Sequence, residues 1–195
     1  TSTDFKQGNL SLGTPMDAAI SGEGFFILGQ TARDADESSP KVYSRNGRFQ
    51  VDAGNKFITD AFGRKVFGFK LNNNGTKASN SVSPLETGGM KDLGFIEGGV
   101  LVSNFQANKD AIQRGDDEIP ELIPLYQLGL SSFQNKQGLI IVDGGAFQAT
   151  VAAGSPFEAG SSGEGSYGNV IKESLESSNI SVAKVALDMA LQNRG

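Results

Sequence analysis

The chain has 195 residues, with 26 glycines, 13 phenylalanines, no cysteine, no histidine, no tryptophan and a formal net charge of −5. The absence of cysteine and histidine removes disulfides, thiolate nucleophiles, serine–histidine and cysteine–histidine catalysis and the commonest metal ligands from within the chain. The acidic balance, with only Arg64 and Lys65 adjacent among the basic residues, argues against a duplex nucleic-acid surface, and the glycine–phenylalanine mix favours turns and short strands over a helical bundle.

In chain order, residues 9–12 lead into the loop signal Gly13-Thr14-Pro15, and a short apolar run follows at 16–20. Ser21-Gly22-Glu23-Gly24 predicts a tight turn before an apolar strand over 25–28. Residues 30–40 are polar without periodicity and predict an exposed loop. The β pattern is clearest over 41–71. It comprises a strand at 42–44, a hairpin signal at Asn46-Gly47, alternation at 49–51, a turn at 52–55, a strand at 56–59, a turn at 60–64, and period-two alternation over 65–71. Residues 72–90 predict a loop or a connection to a small lobe, 99–105 a strand, and 108–118 a charged irregular stretch. Further strands are expected at 125–133, 139–142 and 146–151.

Residues 153–169 are dominated by Gly, Ser, Ala, Glu and Pro and predict a flexible connection without a core of its own. The only convincing helix comes after it, with Ser178 or Asn179 able to cap its start. The expected class is mainly β (α+β), with short antiparallel strands and a C-terminal helix. Its parts are a β-rich core over 1–71 and 119–152, a loop or small inserted lobe over 72–118, a flexible connection over 153–169, and the C-terminal helix over 170–195.

That helix carries polar residues only at Ser181, Lys184, Asp188 and Gln192, which form one narrow stripe. Ile180, Val182, Ala183, Val185, Ala186, Leu187, Met189, Ala190 and Leu191 fill the rest. Their arc is far wider than the roughly 100° that lying on one sheet requires. A helix buried in its own domain would show the same pattern. Its position at the end, after a glycine–serine segment, favours packing against another helix, either from missing sequence or from a neighbouring subunit. These nine residues are the expected subunit-packing surface.

Three patterns could carry chemistry. Gly163-Glu164-Gly165-Ser166-Tyr167-Gly168 has dinucleotide spacing, but no strand precedes it and Glu164 would repel phosphate. The clusters Asp34, Asp36, Glu37 and Asp116, Asp117, Glu118 lack the spacing and turn glycine of a calcium loop. A pair of carboxylates could serve a secreted hydrolase, but no spacing singles one out and there is no tryptophan sugar platform. No catalytic, cofactor or metal residue is therefore expected.

Five ordered stretches carry a resemblance. The first runs from Phe5-Lys6-Gln7-Gly8-Asn9-Leu10 to Pro15-Met16-Asp17-Ala18-Ala19-Ile20-Ser21-Gly22-Glu23-Gly24-Phe25-Phe26. The second is Tyr43-Ser44-Arg45-Asn46-Gly47-Arg48-Phe49, continued by 52–59. The third covers 128–133 with Asn135 and Gly138-Leu139, and the fourth runs from Gly145-Ala146-Phe147 through Ser155-Pro156 to Gly168. The fifth is 174–183. Together they resemble the bacterial flagellar hook and rod (axial) protein family. The resemblance implies no enzyme activity and no small-molecule substrate. It implies a β-rich body between terminal helices that pair in an inner tube, type III export, helical self-assembly, torque transmission, and a place in the flagellar hook or basal body. Implied partners are further copies and other axial proteins of rod, hook cap and hook–filament junction. Residues 124–128 and 70–75 look more like hook protein and the compact size more like distal rod protein, with the balance slightly towards hook. The middle, from about 72 to 121, matches neither cleanly.

Overall fold

The computed structural model describes residues 4–31 and 38–177. In chain order the first strands are β1 (Leu10–Leu12), β2 (Ala18–Ser21), β3 (Phe25–Gly29), β4 (Lys41–Ser44), β5 (Gln50–Val51) and β6 (Ile58–Thr59). The middle holds β7 (Phe67–Lys70), β8 (Ser83–Pro84), β9 (Gly94–Ile96), β10 (Val100–Ser103), the helix α1 (Phe105–Arg114) and β11 (Ile123–Leu128). The last are β12 (Leu130–Ser131), β13 (Leu139–Ile141), β14 (Phe147–Ala149), β15 (Asn169–Lys172) and β16 (Ser174–Glu176). The class is mainly β, and each of these strand pairings is antiparallel.

Strand β3 organises the molecule because its four apolar residues divide between two cores. Phe25 and Ile27 join Tyr43, Phe67, Phe133, Leu139 and Phe147 in one cluster. Phe26 and Leu28 join Val42, Phe49, Ile58, Val66 and Leu128 in the other. Successive side chains of a strand point to opposite faces, so an unbroken apolar run is what a strand buried on both faces needs. Edge-to-face rings fix each side: Phe26 on Phe49 at 5.2 Å between centroids, and Tyr43 on Phe133 at 4.8 Å. Burying each ring contributes about 1.5–3 kcal/mol.

One five-stranded sheet runs β12-β3-β4-β14-β13 and a second β8-β7-β11-β10-β9. They join where Leu28 bridges Val66 and the Gly29 amide donates to the Lys65 carbonyl at 2.9 Å. Three two-stranded pairs complete the body: β1 with β16, β2 with β15, and β5 with β6.

Several expectations change. Residues 72–118 form no separate lobe, because β8, β9 and β10 belong to the second sheet and Leu85, Phe95 and Leu101 lie in the first core. The stretch read as irregular, 108–118, holds most of α1. Its first amides are capped from a distance: Gln106 and Ala107 donate to the Asp92 carboxylate at 2.9 and 3.0 Å. A cap 14 residues upstream leaves no local start signal. Gly115, at φ 72°, closes the other end in the left-handed conformation.

Residues 153–169 are tied to the body rather than crossing it loosely. Leu130 and Gly160 exchange backbone bonds at 2.7 and 2.9 Å, Ala153 is buried, and Tyr167 packs on the first core. Residues 169–176, expected in part to belong to the C-terminal helix, are strands β15 and β16, each zipped to a strand of the N-terminal segment. The Asn46-Gly47 step makes no hairpin, since β4 pairs with β3 and β14 while β5 pairs with β6. Gly47 is required there because a Cβ would lie 1.6 Å from the Ala18 carbonyl oxygen.

Candidate functional site at the paired chain ends

The predicted packing residues Ile180, Val182, Ala183, Val185, Ala186, Leu187, Met189, Ala190 and Leu191 lie outside the described residues. What the structure shows is where the chain leading to them stands. Strands β1 and β16 run side by side, with Leu10 opposite Glu176 and Leu12 opposite Ser174. The ladder extends outward as the Ser177 amide donates to the Asn9 carbonyl at 2.8 Å and the Asn9 amide to the Ser177 hydroxyl at 3.2 Å. At Gly8 a Cβ would sit 1.7 Å from the Ser177 carbonyl oxygen, so the two backbones are in contact.

One guanidinium clasps this junction. Arg45 Nε and Nη2 form a forked pair with the two Glu176 oxygens, each at 2.8 Å. Nη1 donates to the carbonyls of Gly22 and Gly24, both at 2.7 Å. Nη2 also reaches Gln7 Oε1 and the Ile20 carbonyl, both at 3.0 Å. Gln7 closes the ring: its oxygen accepts from the Gly22 amide at 2.9 Å, and its Nε2 donates to the Ile20 carbonyl at 3.1 Å and to Glu176. The Gly8 amide donates to Glu176 at 3.2 Å. The Glu176 side chain is only 5% exposed, so its charge is carried by these donors rather than by water.

The partners come from three different stretches of the family resemblance. Gln7, Gly22 and Gly24 come from the first, Arg45 from the second and Glu176 from the fifth. Sequence reading located the stretches but assigned these side chains no role, because no spacing connects positions 131 residues apart.

Over the clasp lies a cleft of about 770 Å³, with Phe5, Phe25, Phe147 and Leu175 among its apolar walls. Its second carboxylate, Glu23, is paired with Lys136. Burial pushes Glu23 up, but hydrogen bonds from Lys136 and Ser132 and the charges of Lys136 and Arg45 outweigh it, and its pKa falls below the ordinary value. Neither acid in the cleft has the environment of a proton-donating carboxyl, which would be apolar and free of cations.

The other motifs resolve as structure. The glycine-rich stretch is a pair of tight turns, with the Gly163 amide bonded to the Gly168 carbonyl and the Gly168 amide to the Glu23 carbonyl, both at 2.8 Å. The strand β15, not a helix, follows it. Asp116, Asp117 and Glu118 are exposed beyond α1, and Asp34, Asp36 and Glu37 lie outside the described residues. No cluster of acidic residues suited to a metal ion occurs among the described residues.

No family model matches the chain. Among curated proteins it is 25% identical over 191 residues to the flagellar basal-body rod protein FlgG of Borreliella burgdorferi. It is 27% identical over 189 residues to the protein of that name in Buchnera aphidicola, and 28% over 189 residues to that in Agrobacterium fabrum. These alignments cover 97%, 96% and 96% of this chain but 60% of each relative, so the chain spans well under two thirds of their length.

Proposed function

From a chain that shares distant kinship with the flagellar rod and hook family along nearly all its length, we propose a structural subunit of the bacterial flagellar axial structure, located in the basal-body rod. It assembles helically with further copies and with other axial proteins, transmits torque, and performs no catalysis. The observation that carries this reading is the clasp. Gln7, Arg45 and Glu176 hold two stretches far apart in sequence side by side, with β1 and β16 paired at one edge of the β body. A subunit that passes torque between its terminal segments and its body needs such a rigid root. The relatives' names support the rod. The hook is the second reading, favoured by the hook-like segments 124–128, in β11, and 70–75.

The nine apolar residues from Ile180 to Leu191 are the proposed packing surface of the terminal segment. Electron microscopy of the full-length polypeptide tests the whole reading: straight tubes mean rod, curved tubes hook. An absence of tubes under all conditions would overturn it. Val185→Asp with Leu187→Asp should abolish tubes while the thermal transition of the β body stays unchanged. Tubes that survive this double change would remove those residues from the interface.

A further inference from the structure

The described surface carries two features of opposite charge at opposite ends of the β1–β16 ribbon. At the Glu176 end lies the cleft. Lys6, Arg45, Arg48 and Lys136 against Glu23 and Glu176 give it a net charge of +2 on a chain whose total is −5. Arg48 is exposed and enters none of the ion pairs among the described residues. At the other end, the Glu173 carbonyl accepts from the Gly13 amide at 2.8 Å and its carboxylate lies 3.7 Å from Lys109 of α1.

From α1 projects an arm. Residues 112–121 are exposed without interruption. They hold Asp116, Asp117, Glu118 and Glu121 against Arg114, a net charge of −3. The arm also presents Ile112 and Ile119, 57% and 44% exposed. It is braced in place: Asn104 and Asn108 donate their side-chain amides to the carbonyls of Glu121 and Pro120 at 2.9 and 2.8 Å. The braced arm contributes no residue to the lining of the cleft of its own molecule. Exposed isoleucines on an acidic arm match an aromatic-walled basic cleft in both charge and polarity.

The geometry points to a head-to-tail contact in which the 112–121 arm of one copy seats in the cleft of a second copy of this chain. The inference rests on the axial reading and deepens it by naming two faces that meet. A contact between two different patches is heterologous, so it repeats without closing unless the rotation makes a ring. It places each neighbour against the Arg45 clasp, beside the paired β1 and β16. The contact is electrostatic at its rim and weakens with salt.

Charge reversal tests it. R48E takes the cleft from +2 to 0 and removes its pull on the arm, and D117K with E118K takes the arm from −3 to +1 and makes it repel the cleft. Each variant of the full chain should self-associate about tenfold more weakly than the parent in sedimentation velocity at low salt. An equimolar mixture of the two should associate more tightly than either variant alone, because the unreversed arm of the R48E chain then meets the unreversed cleft of the D117K/E118K chain. A mixture no tighter than either variant alone overturns the contact. The chain has no native cysteine, so R48C and E118C provide an independent readout. Oxidation of the chain carrying both should give a ladder of multimers, and mixed single variants a dimer. Dimers from E118C alone would mean a symmetric arm–arm contact and overturn the proposal. So would a disulfide closing within one chain that carries R48C and L187C, which would seat the terminal segment in its own cleft. Tubes that form normally with both reversals present singly would leave the axial reading standing and remove only this contact.

Discussion

Two arginine–carboxylate pairs in this molecule use the same groups for opposite ends. Asp60 and Arg64 close a five-residue turn. One Asp60 oxygen accepts from the amides of Phe62 and Arg64, each at 2.9 Å, and the other from Arg64 Nε at 2.7 Å. Arg45 and Glu176 join segments 131 residues apart and recruit Gln7 and two glycine carbonyls on the way. The first pair shapes a loop that is already short, so little chain entropy is at stake. The second fixes the relative position of β1 and β16, which only a long-range contact can do. The local pair therefore matters for stability alone, and the distant pair for stability and for the placement of β1 beside β16.

The largest effect should come from Arg45→Met. It leaves Glu176 buried without its cation and should cost about 3 kcal/mol of unfolding free energy. The diagnostic part is local: amide exchange at the β1–β16 ladder and at Ser177 should accelerate more than exchange in β3. Equal acceleration throughout would make this pair no different in kind from Asp60–Arg64.

A pH titration reports on the aromatic core. Burial pushes the Tyr43 pKa up from 10.0 to about 12. The folded state thus holds the Tyr43 proton more tightly than the unfolded state. Its contribution is fully present below pH 10 and is lost as pH rises towards 12, a fall of about 2–3 kcal/mol. Tyr43→Phe should flatten the alkaline limb of the stability curve. An unchanged limb would assign the loss elsewhere.

Asp60→Asn keeps the turn's amide acceptor but removes the charge opposite Arg64, and about 2 kcal/mol should go with it. Exchange at the β1–β16 ladder should stay at its parent value relative to β3. Selective loosening of the ladder would show that the two pairs are coupled and would break the contrast between them.

How much of this was legible follows from the same distinction. The Asp60–Arg64 turn was read from sequence because everything that makes it lies within five residues. So were most strands, because period two and an unbroken apolar run such as Phe25-Phe26-Ile27-Leu28 are local signals. The resemblance stretches were found, yet their meeting on Arg45 was not, since nothing in local spacing reports a contact between positions 45 and 176. The helix α1 was missed for the same reason: its cap is Asp92, supplied across a hairpin. The Asn46-Gly47 step misled because a turn-forming dipeptide was placed there for close passage of Ala18 instead.

The smallest effect should be a gain. Thr59 lies on β6 next to Asp60, is 2% exposed, and its hydroxyl has no hydrogen-bond partner among the described residues. Burying a hydroxyl that makes no bond costs free energy that an isosteric methyl group does not. Thr59→Val keeps the β-branched shape that the strand favours. It should raise stability by about 1 kcal/mol, or the midpoint by about 2–4 °C for a chain of this size. The gain should persist in the Asp60→Asn background, because the hydroxyl takes no part in the turn's hydrogen bonds. If Thr59→Val instead destabilises, and does so only while Asp60 is intact, the hydroxyl belongs to the turn network. The local pair would then reach into the core more deeply than its five residues suggest.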